Sequence, residues 1–445
     1  MKKQDAAKRT MKNRITVIGA GLAGCEAAWA AANAGVQVTL IEMKPERYTP
    51  AHHSPLFAEL VCSNSLKASR IESVAGLLKE EMARMGSVCV TAARECAVPA
   101  GGALAVDRDR FSALVTERVA NHPNITVQHE EVTALPTEGI TVVATGPLTS
   151  DALASAIAAQ CGSGLSFYDA AAPIVTAESV DMSSAFRASR YDREESGEGD
   201  YINCPLNKEE YETFHAALIS AERALLHEFD KPTVYEGCMP IEVLAGRGSD
   251  AIRFGPMKPV GLRDPHTGHR PWAVVQLRTE NADGTLYNLV GFQTNLKFAE
   301  QKRVFSLIPA LKNAEFVRYG VMHRNTFLDS PRLLNRAFQL KDAPHLFFAG
   351  QLTGVEGYME SACSGILAGR NAVCALRGEE PFLLPRETMA GALSFHVSDP
   401  SVKVFQPMGA NFGVLPPLEV HIRDKRERYA ALAARALEVL EGYLT

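Results

Sequence analysis

No run of apolar residues approaches the roughly 18 that would cross a bilayer, so a membrane-spanning helix is not expected. The opening residues "MKKQDAAKRT" are polar and basic, and no apolar stretch follows them. A signal peptide is therefore not expected, and a cytoplasmic location is the default. Nine cysteines are present without a CxxC pair or a regular spacing. Their scatter and odd number exclude a disulfide framework and give no metal-ligand pattern, so no metal is expected. The chain also lacks a surplus of positive charge, its net charge being −5. Any nucleic acid would have to be met by a local basic surface. Internal repeats and low-complexity tracts are absent. What remains is an ordinary globular composition, 46% hydrophobic and 22% charged over 445 residues, with length for two or three domains.

The clearest local signal lies near the start. "RITVI" (Arg14 to Ile18) reads as a buried strand, "GAGLAG" follows directly, and an Ala-rich helical stretch runs to Gly35 before a second strand, "VQVTLIE". Gly19 permits the tight turn, Gly21 lets the backbone approach a pyrophosphate, and Gly24 allows close packing. Ala20, Leu22 and Ala23 complete the turn, whose helix N-terminus faces the negative charge. Glu42 ends the second strand, where an acid binds a ribose hydroxyl. Two later segments, "ITVVATG" ending at Gly146 and "HLFFAGQLTGVEGYMESACSGILAGRNA" containing Gly350 and Gln351, resemble the returning elements of two-dinucleotide-type flavoproteins. In that order the three segments imply FAD. The fold class expected is α/β, a discontinuous FAD-binding Rossmann-like domain of the glutathione-reductase type with a smaller inserted α+β domain.

The divisions expected are residues 11–195 for the first part of the FAD domain, 196–318 for the insertion, and 319–445 for the returning part. The charged stretch "RYDREESGEGDY" suggests the first boundary. Within the insertion, Lys208 to Leu226 has helical periodicity, and Asp283-Gly284 marks a hairpin between "WAVVQL" and "LYNLVGF". Ser69 to Glu72 fits a capping box opening a helix that reaches about Met85. Two cysteines occupy distinctive loops: Cys62 in "VCSNS" and Cys238 in "YEGCMPIEVLAGRG". A buried, inert thiol is the commoner fate of any cysteine, and that reading stands for Cys25, Cys89, Cys96, Cys161, Cys204 and Cys374; Cys363, inside the third flavin-type segment, is left open.

Long stretches, among them "AHHSPLFAELVCSNSLKA", "YEGCMPIEVLAGRGSDAIRFGPMKPVGLRDPHTG", "YNLVGFQTNLKFAEQKRVFSLIPAL" and "FQPMGANFGVLPPLE", resemble the folate- and FAD-dependent tRNA uracil-5 methyltransferases, bacterial relatives of the larger GidA flavoproteins. The resemblance covers about Arg14 to Arg428. It implies that methylenetetrahydrofolate supplies a carbon, that FAD supplies reducing equivalents renewed by NAD(P)H, and that the product is 5-methyluridine in the tRNA T-loop. It further implies that Cys238 adds to carbon 6 of uracil and that Cys62 either removes the carbon-5 proton or shields the flavin-bound intermediate, with the two cysteines' roles open to exchange, and that Tyr358 sits beside the flavin and Cys62. The target base must be turned out of the loop. Glu236 and Glu242 carry charge that opposes a Cys238 thiolate unless a cation offsets it.

RNA contacts are expected from Lys258, Arg263 and Arg270, from Arg318 and Arg324, and from Arg423, Lys425, Arg426 and Arg428. The last run alternates with Asp424 and Glu427, so a solvated helix face is an equal reading. His52 and His53 are pocket candidates. Ribosomal RNA as substrate, or a non-catalytic FAD- and tRNA-binding module, would preserve the same motifs. A wobble-uridine enzyme with a GTPase partner is disfavoured because the chain beyond Ala372 is short for that group's C-terminal helical region. No membrane association and no obligate protein partner are expected.

Overall fold

A computed structural model describes residues 14–162, 165–170, 172–192, 199–224, 239–320, 322–402, 405 and 407–444, with the backbone course alone for 165–170, 192 and 322–326. Its first unit is built on a five-stranded parallel sheet in the order Leu346–Phe348, Ile140–Val143, Arg14–Ile18, Gln37–Glu42, Ile125–His129. The central strands are short apolar runs because both faces are covered: Ile15, Val17, Val38, Leu40 and Val142 have no exposed surface. The Ala-rich helix Leu22–Asn33 crosses one face, and the chain leaves it at Gly35 with φ +79°.

The small residues of that helix serve a second purpose. The 20-residue helix Tyr358–Arg377 packs directly on it. A β-carbon added to Gly365 would lie 2.1 Å from the Ala23 carbonyl oxygen, and one on Gly369 would lie 2.5 Å from that of Ala27. The two backbones approach so closely that only hydrogen fits between them. This contact fixes the returning segment over the dinucleotide turn.

The second unit is a six-stranded sheet in the order Phe186–Arg187, Tyr201–Leu206, Ala273–Thr279, Leu286–Leu289, Ile174–Thr176, Phe316–Arg318. Its core centres on Phe214, Phe292 and Phe305, all fully buried. Helix Lys208–Ser220 opens with a reciprocal capping box between Asn207 and Glu210. The expected hairpin turn is present, with Gly284 at φ +66° and the Asn281 carboxamide oxygen accepting from the Thr285 and Leu286 amides.

A two-stranded antiparallel ribbon, Leu165–Ala170 with Met322–Phe327, carries the chain out to this unit and back. Sheet membership therefore moves the change of unit from 196 to the ribbon, because Ile174–Thr176 and Phe186–Arg187 already belong to the inserted sheet. Strands of three and two residues carry too little alternation to reveal themselves. The helix expected from Ser69 begins later: it spans Val74–Arg84, capped by Ser73, whose hydroxyl accepts from the Gly76 amide at 3.1 Å and donates to the Arg70 carbonyl at 2.5 Å. Residues 70–73 form a turn instead, and the second serine wins the cap. Among the described residues no helix is long and apolar enough to cross a membrane.

Candidate functional site

A cavity of about 450 Å³ opens at the carboxyl ends of the parallel strands, where ligands of open α/β sheets bind. Gly19 to Ala23, Glu42, His52, Cys62, Gly146, Gly350, Gln351 and Tyr358 all line it. The turn is built as its glycines require. Gly19 takes φ +95°, its amide donates to Ile41 at 2.7 Å, and a β-carbon there would lie 2.7 Å from the Ala144 oxygen. A β-carbon on Gly24 would lie 1.7 Å from the Gly19 oxygen, so this glycine packs against the turn itself.

Gly21 is the helix N-cap, with no side-chain cap on the first turn, and a β-carbon there would meet nothing within 4 Å. The first-turn amides thus face an open cradle suited to a pyrophosphate. The Glu42 carboxylate is fixed by the Ala20 amide at 2.6 Å and the Lys44 amide at 3.0 Å, leaving acceptor positions for ribose hydroxyls. Gly146 at φ +70° also has open space before it. Gly350 donates its amide to Ser364 at 2.7 Å, and Gln351 is held by Glu356 at 2.6 Å. These donors, acceptors and open glycines fit an FAD laid along the strand ends.

At one end of the cavity Tyr358 meets the loop bearing Cys62. The phenol oxygen lies 2.8 Å from the Cys62 amide, 3.1 Å from the Ser63 amide and 3.0 Å from Cys62 Sγ. Burial, then the neighbouring Cys62, pushes the phenol well above its ordinary range, so it keeps its proton. Three arginines from distant segments converge on the same loop. Arg108 donates to the Leu60 carbonyl at 2.6 Å and forks onto Glu280 at 2.5 and 3.2 Å. Arg278 reaches Ser63 Oγ and Asn64 Oδ1, each at 2.8 Å, and Arg318 donates to the Val61 carbonyl. Asn64, fully buried, ties the loop to the Val106 and Thr279 carbonyls at 3.0 and 2.7 Å.

Arg318 is thus a correction: expected on the RNA surface, it is turned into this loop. No spacing in the sequence links residues 108, 278 and 318, so the cluster was not legible there. The same holds for the Lys67–Glu360 ion pair at 2.7 Å, which also lines the cavity.

The histidines separate. His52 lines the cavity with Nδ1 2.6 Å from Thr49 Oγ1, whereas His53 is exposed and outside it, its amide donating to Glu59 at 2.9 Å. Lys258, Arg263, Arg270, Arg423, Lys425 and Arg426 are exposed; Arg324 lies on strand Met322–Phe327, with its side chain outside the description. Arg428 folds back onto the Ile422 carbonyl at 3.2 Å.

Cys238 lies outside the described residues. Nearby, the Ile241 amide donates to Gln293 at 2.7 Å, and Gln293 lines the cavity. Glu242 is a buried brace, accepting from Thr294 Oγ1 and the Asn295 amide at 2.8 Å each. Cys25, Cys89 and Cys363 are buried thiols that burial pushes far above the ordinary range.

The parallel sheet, the uncapped glycine turn and the fixed acid define an FAD-binding flavoprotein of α/β fold. The family model for glucose inhibited division protein A matches residues 14–380, and the chain belongs to that family. It is 58% identical over 436 residues to a protein of Acetivibrio thermocellus named methylenetetrahydrofolate–tRNA-(uracil-5-)-methyltransferase TrmFO, covering 98% of this chain and 99% of that one. A protein of Enterococcus faecalis with the same name is 56% identical, with 96% and 98% covered. Among solved structures, GidA of Aquifex aeolicus superposes with a TM-score of 0.70 at 17% identity over 97% of this chain and 73% of that one, a likeness of fold.

Proposed function

We propose that this protein is a flavin- and folate-dependent methyltransferase that forms 5-methyluridine in the T-loop of tRNA. The observation that carries the reading is identity above half over nearly the full length of relatives bearing that name, joined to a cavity that brings the FAD cradle against Cys62 and Tyr358. Methylenetetrahydrofolate provides the carbon, and NAD(P)H renews the reductant. Bound FAD supplies the reducing equivalents that convert the transferred carbon to a methyl group.

The chain's own groups account for the rest. The first-turn amides and Glu42 orient the cofactor. We assign Cys238 as the nucleophile: its thiolate adds to carbon 6 of uracil, the displaced electron pair moves onto the carbon-4 carbonyl oxygen, and carbon 5 becomes able to attack an electrophilic methylene. Cys62 then takes the carbon-5 proton, the electrons left behind expel the amine that carried the methylene, and reduction of the exocyclic methylene so formed restores the enolate that expels the Cys238 thiolate from carbon 6. Tyr358 fixes Cys62 through both backbone and sulfur. Exposed Lys258, Arg263, Arg270, Arg423 and Arg426 are assigned to the RNA backbone, where their loss weakens binding in a salt-dependent way. A cytoplasmic location follows from the tRNA substrate.

The test is incubation with unmodified tRNA, NADPH and carbon-labelled methylenetetrahydrofolate, followed by nucleoside mass spectrometry. Label in 5-methyluridine supports the reading. Label only when ribosomal RNA is supplied moves the substrate, and label in neither removes the activity.

A further inference from the structure

Four residues around Cys62, namely Leu60, Val61, Ser63 and Asn64, are each gripped by a guanidinium. Arg108 comes from the start of a helix in the first unit, whereas Arg278 and Arg318 come from two strands of the inserted sheet. Among the described residues Glu280 is the one carboxylate that pairs with these guanidiniums, and both its oxygens are taken by Arg108. The other acids around the cavity's end are engaged elsewhere: Glu360 with Lys67, Glu356 with Gln351, and Asp107 with the Arg110 and Ala282 amides. Tyr358 contributes a neutral phenol. Among the described residues three guanidiniums and one paired carboxylate thus lie against the Cys62 loop, and Arg108, Arg278, Arg318 and Tyr358 all couple electrostatically to Cys62.

We propose that Arg318 and Arg278, with Arg108, are positioning residues that hold Cys62 as a thiolate at neutral pH. The thiolate is the reactive form of cysteine, and neighbouring arginines favour it. Because two of the three belong to the inserted unit, the reactive state of a thiol on the flavin side depends on how that unit is docked. The Asn64 side-chain amide on the Thr279 carbonyl and the Ala282 amide on Asp107 fasten the same strand end to the Cys62 loop and to the cap of the helix that bears Arg108. The proposal deepens the reading of Cys62 given above, but its test uses neither RNA nor folate, so the two can fail separately.

The experiment is the rate of iodoacetamide alkylation of Cys62 in the full-length, FAD-loaded protein, read by mass spectrometry of its peptide between pH 7 and pH 10. An unperturbed thiol, ionising near 8.5, gains roughly thirtyfold over that range. Cys62, at least half ionised at pH 7 on this proposal, is expected to gain no more than about twofold. Arg318→Gln, which keeps a donor for the Val61 carbonyl and loses the charge, is expected to slow alkylation at pH 7 about tenfold and leave the pH 10 rate unchanged, while Arg318→Lys stays within about threefold of wild type. Arg278→Gln repeats the test if the first variant does not fold. A wild-type gain beyond about twofold, no alkylation at all, or Gln and Lys variants that react alike overturns the proposal, since a purely structural clamp does not separate charge from hydrogen bonding.

Discussion

The hydroxyl of Tyr358 sits 3.0 Å from the sulfur of Cys62 and 2.8 Å from its amide nitrogen, so one phenol holds both the backbone and the reactive atom of a residue 296 positions away. The Ser63 amide, at 3.1 Å, is the second donor to the same oxygen. Two amide hydrogens fill the two lone pairs, which leaves the phenol hydrogen to point at sulfur. The geometry makes Tyr358 a donor to Cys62 and a clamp on the loop at once.

Tyr358→Phe therefore removes the donor to sulfur and strands two amides, each lost partner costing about 1–3 kcal/mol. Methylation of tRNA is expected to fall at least about tenfold, the equivalent of roughly 1.4 kcal/mol on the barrier, while flavin content stays near wild type. Label incorporation per bound flavin checks this. Normal turnover would show that neither contact matters to the reaction.

The Glu42 carboxylate braces the glycine turn through the Ala20 and Lys44 amides and faces the cavity. Glu42→Ala removes these charge-assisted bonds, each worth about 1.5–3 kcal/mol, together with the acceptor for a ribose. FAD affinity is expected to fall by at least about tenfold, measured by flavin fluorescence titration of stripped protein. Unaltered affinity would place the ribose elsewhere.

These two sites differ in how far the sequence revealed them. The turn from Gly19 to Gly24 and the acid at Glu42 lie within one βαβ unit, where each glycine answers a local backbone demand and the spacing itself carries the chemistry. The pairing of Tyr358 with Cys62 came only through family resemblance, because nothing local ties positions so distant. Arg108, Arg278 and Arg318 were legible by neither route: each is an ordinary arginine in its own segment, and only the docking of the inserted sheet brings them together. His52 and His53 show the converse limit, since adjacent side chains diverge and one alone enters the cavity.

The crossing of helices Leu22–Asn33 and Tyr358–Arg377 predicts a steric effect. An alanine at Gly365 would place its β-carbon 2.1 Å from the Ala23 carbonyl oxygen, a backbone atom that cannot swing aside. Overpacking of this kind costs about 1–3 kcal/mol. Gly365→Ala is expected to lower the thermal midpoint by several degrees and to reduce flavin retention, because Ala23 belongs to the cofactor turn. Scanning calorimetry with flavin quantitation checks it; an unchanged midpoint would mean the helices separate freely.

Two buried carboxyls set a pH dependence of stability. Burial raises Glu81 from 4.5 to about 8, against the opposing bonds from the Ala390 and Met389 amides. Burial likewise raises Glu26 to about 7, opposed by Ser87 and the Cys89 amide. In the unfolded chain both groups ionise near the ordinary 4.5, so between that value and 7 to 8 the folded protein binds more protons than the unfolded one. Their contribution is fully present below pH 4.5 and is lost as pH rises toward the folded values. From pH 6 to pH 8 the urea midpoint is therefore expected to fall, by the equivalent of about 1–4 kcal/mol from these two groups. Glu81→Gln cannot ionise, so it should flatten that slope while losing about 1–2 kcal/mol at pH 6, where its amide replaces a carboxyl at the start of helix Met389–Val397. A variant with the same slope as wild type would assign the pH dependence to other groups, and a midpoint that rises from pH 6 to pH 8 would reverse its sign.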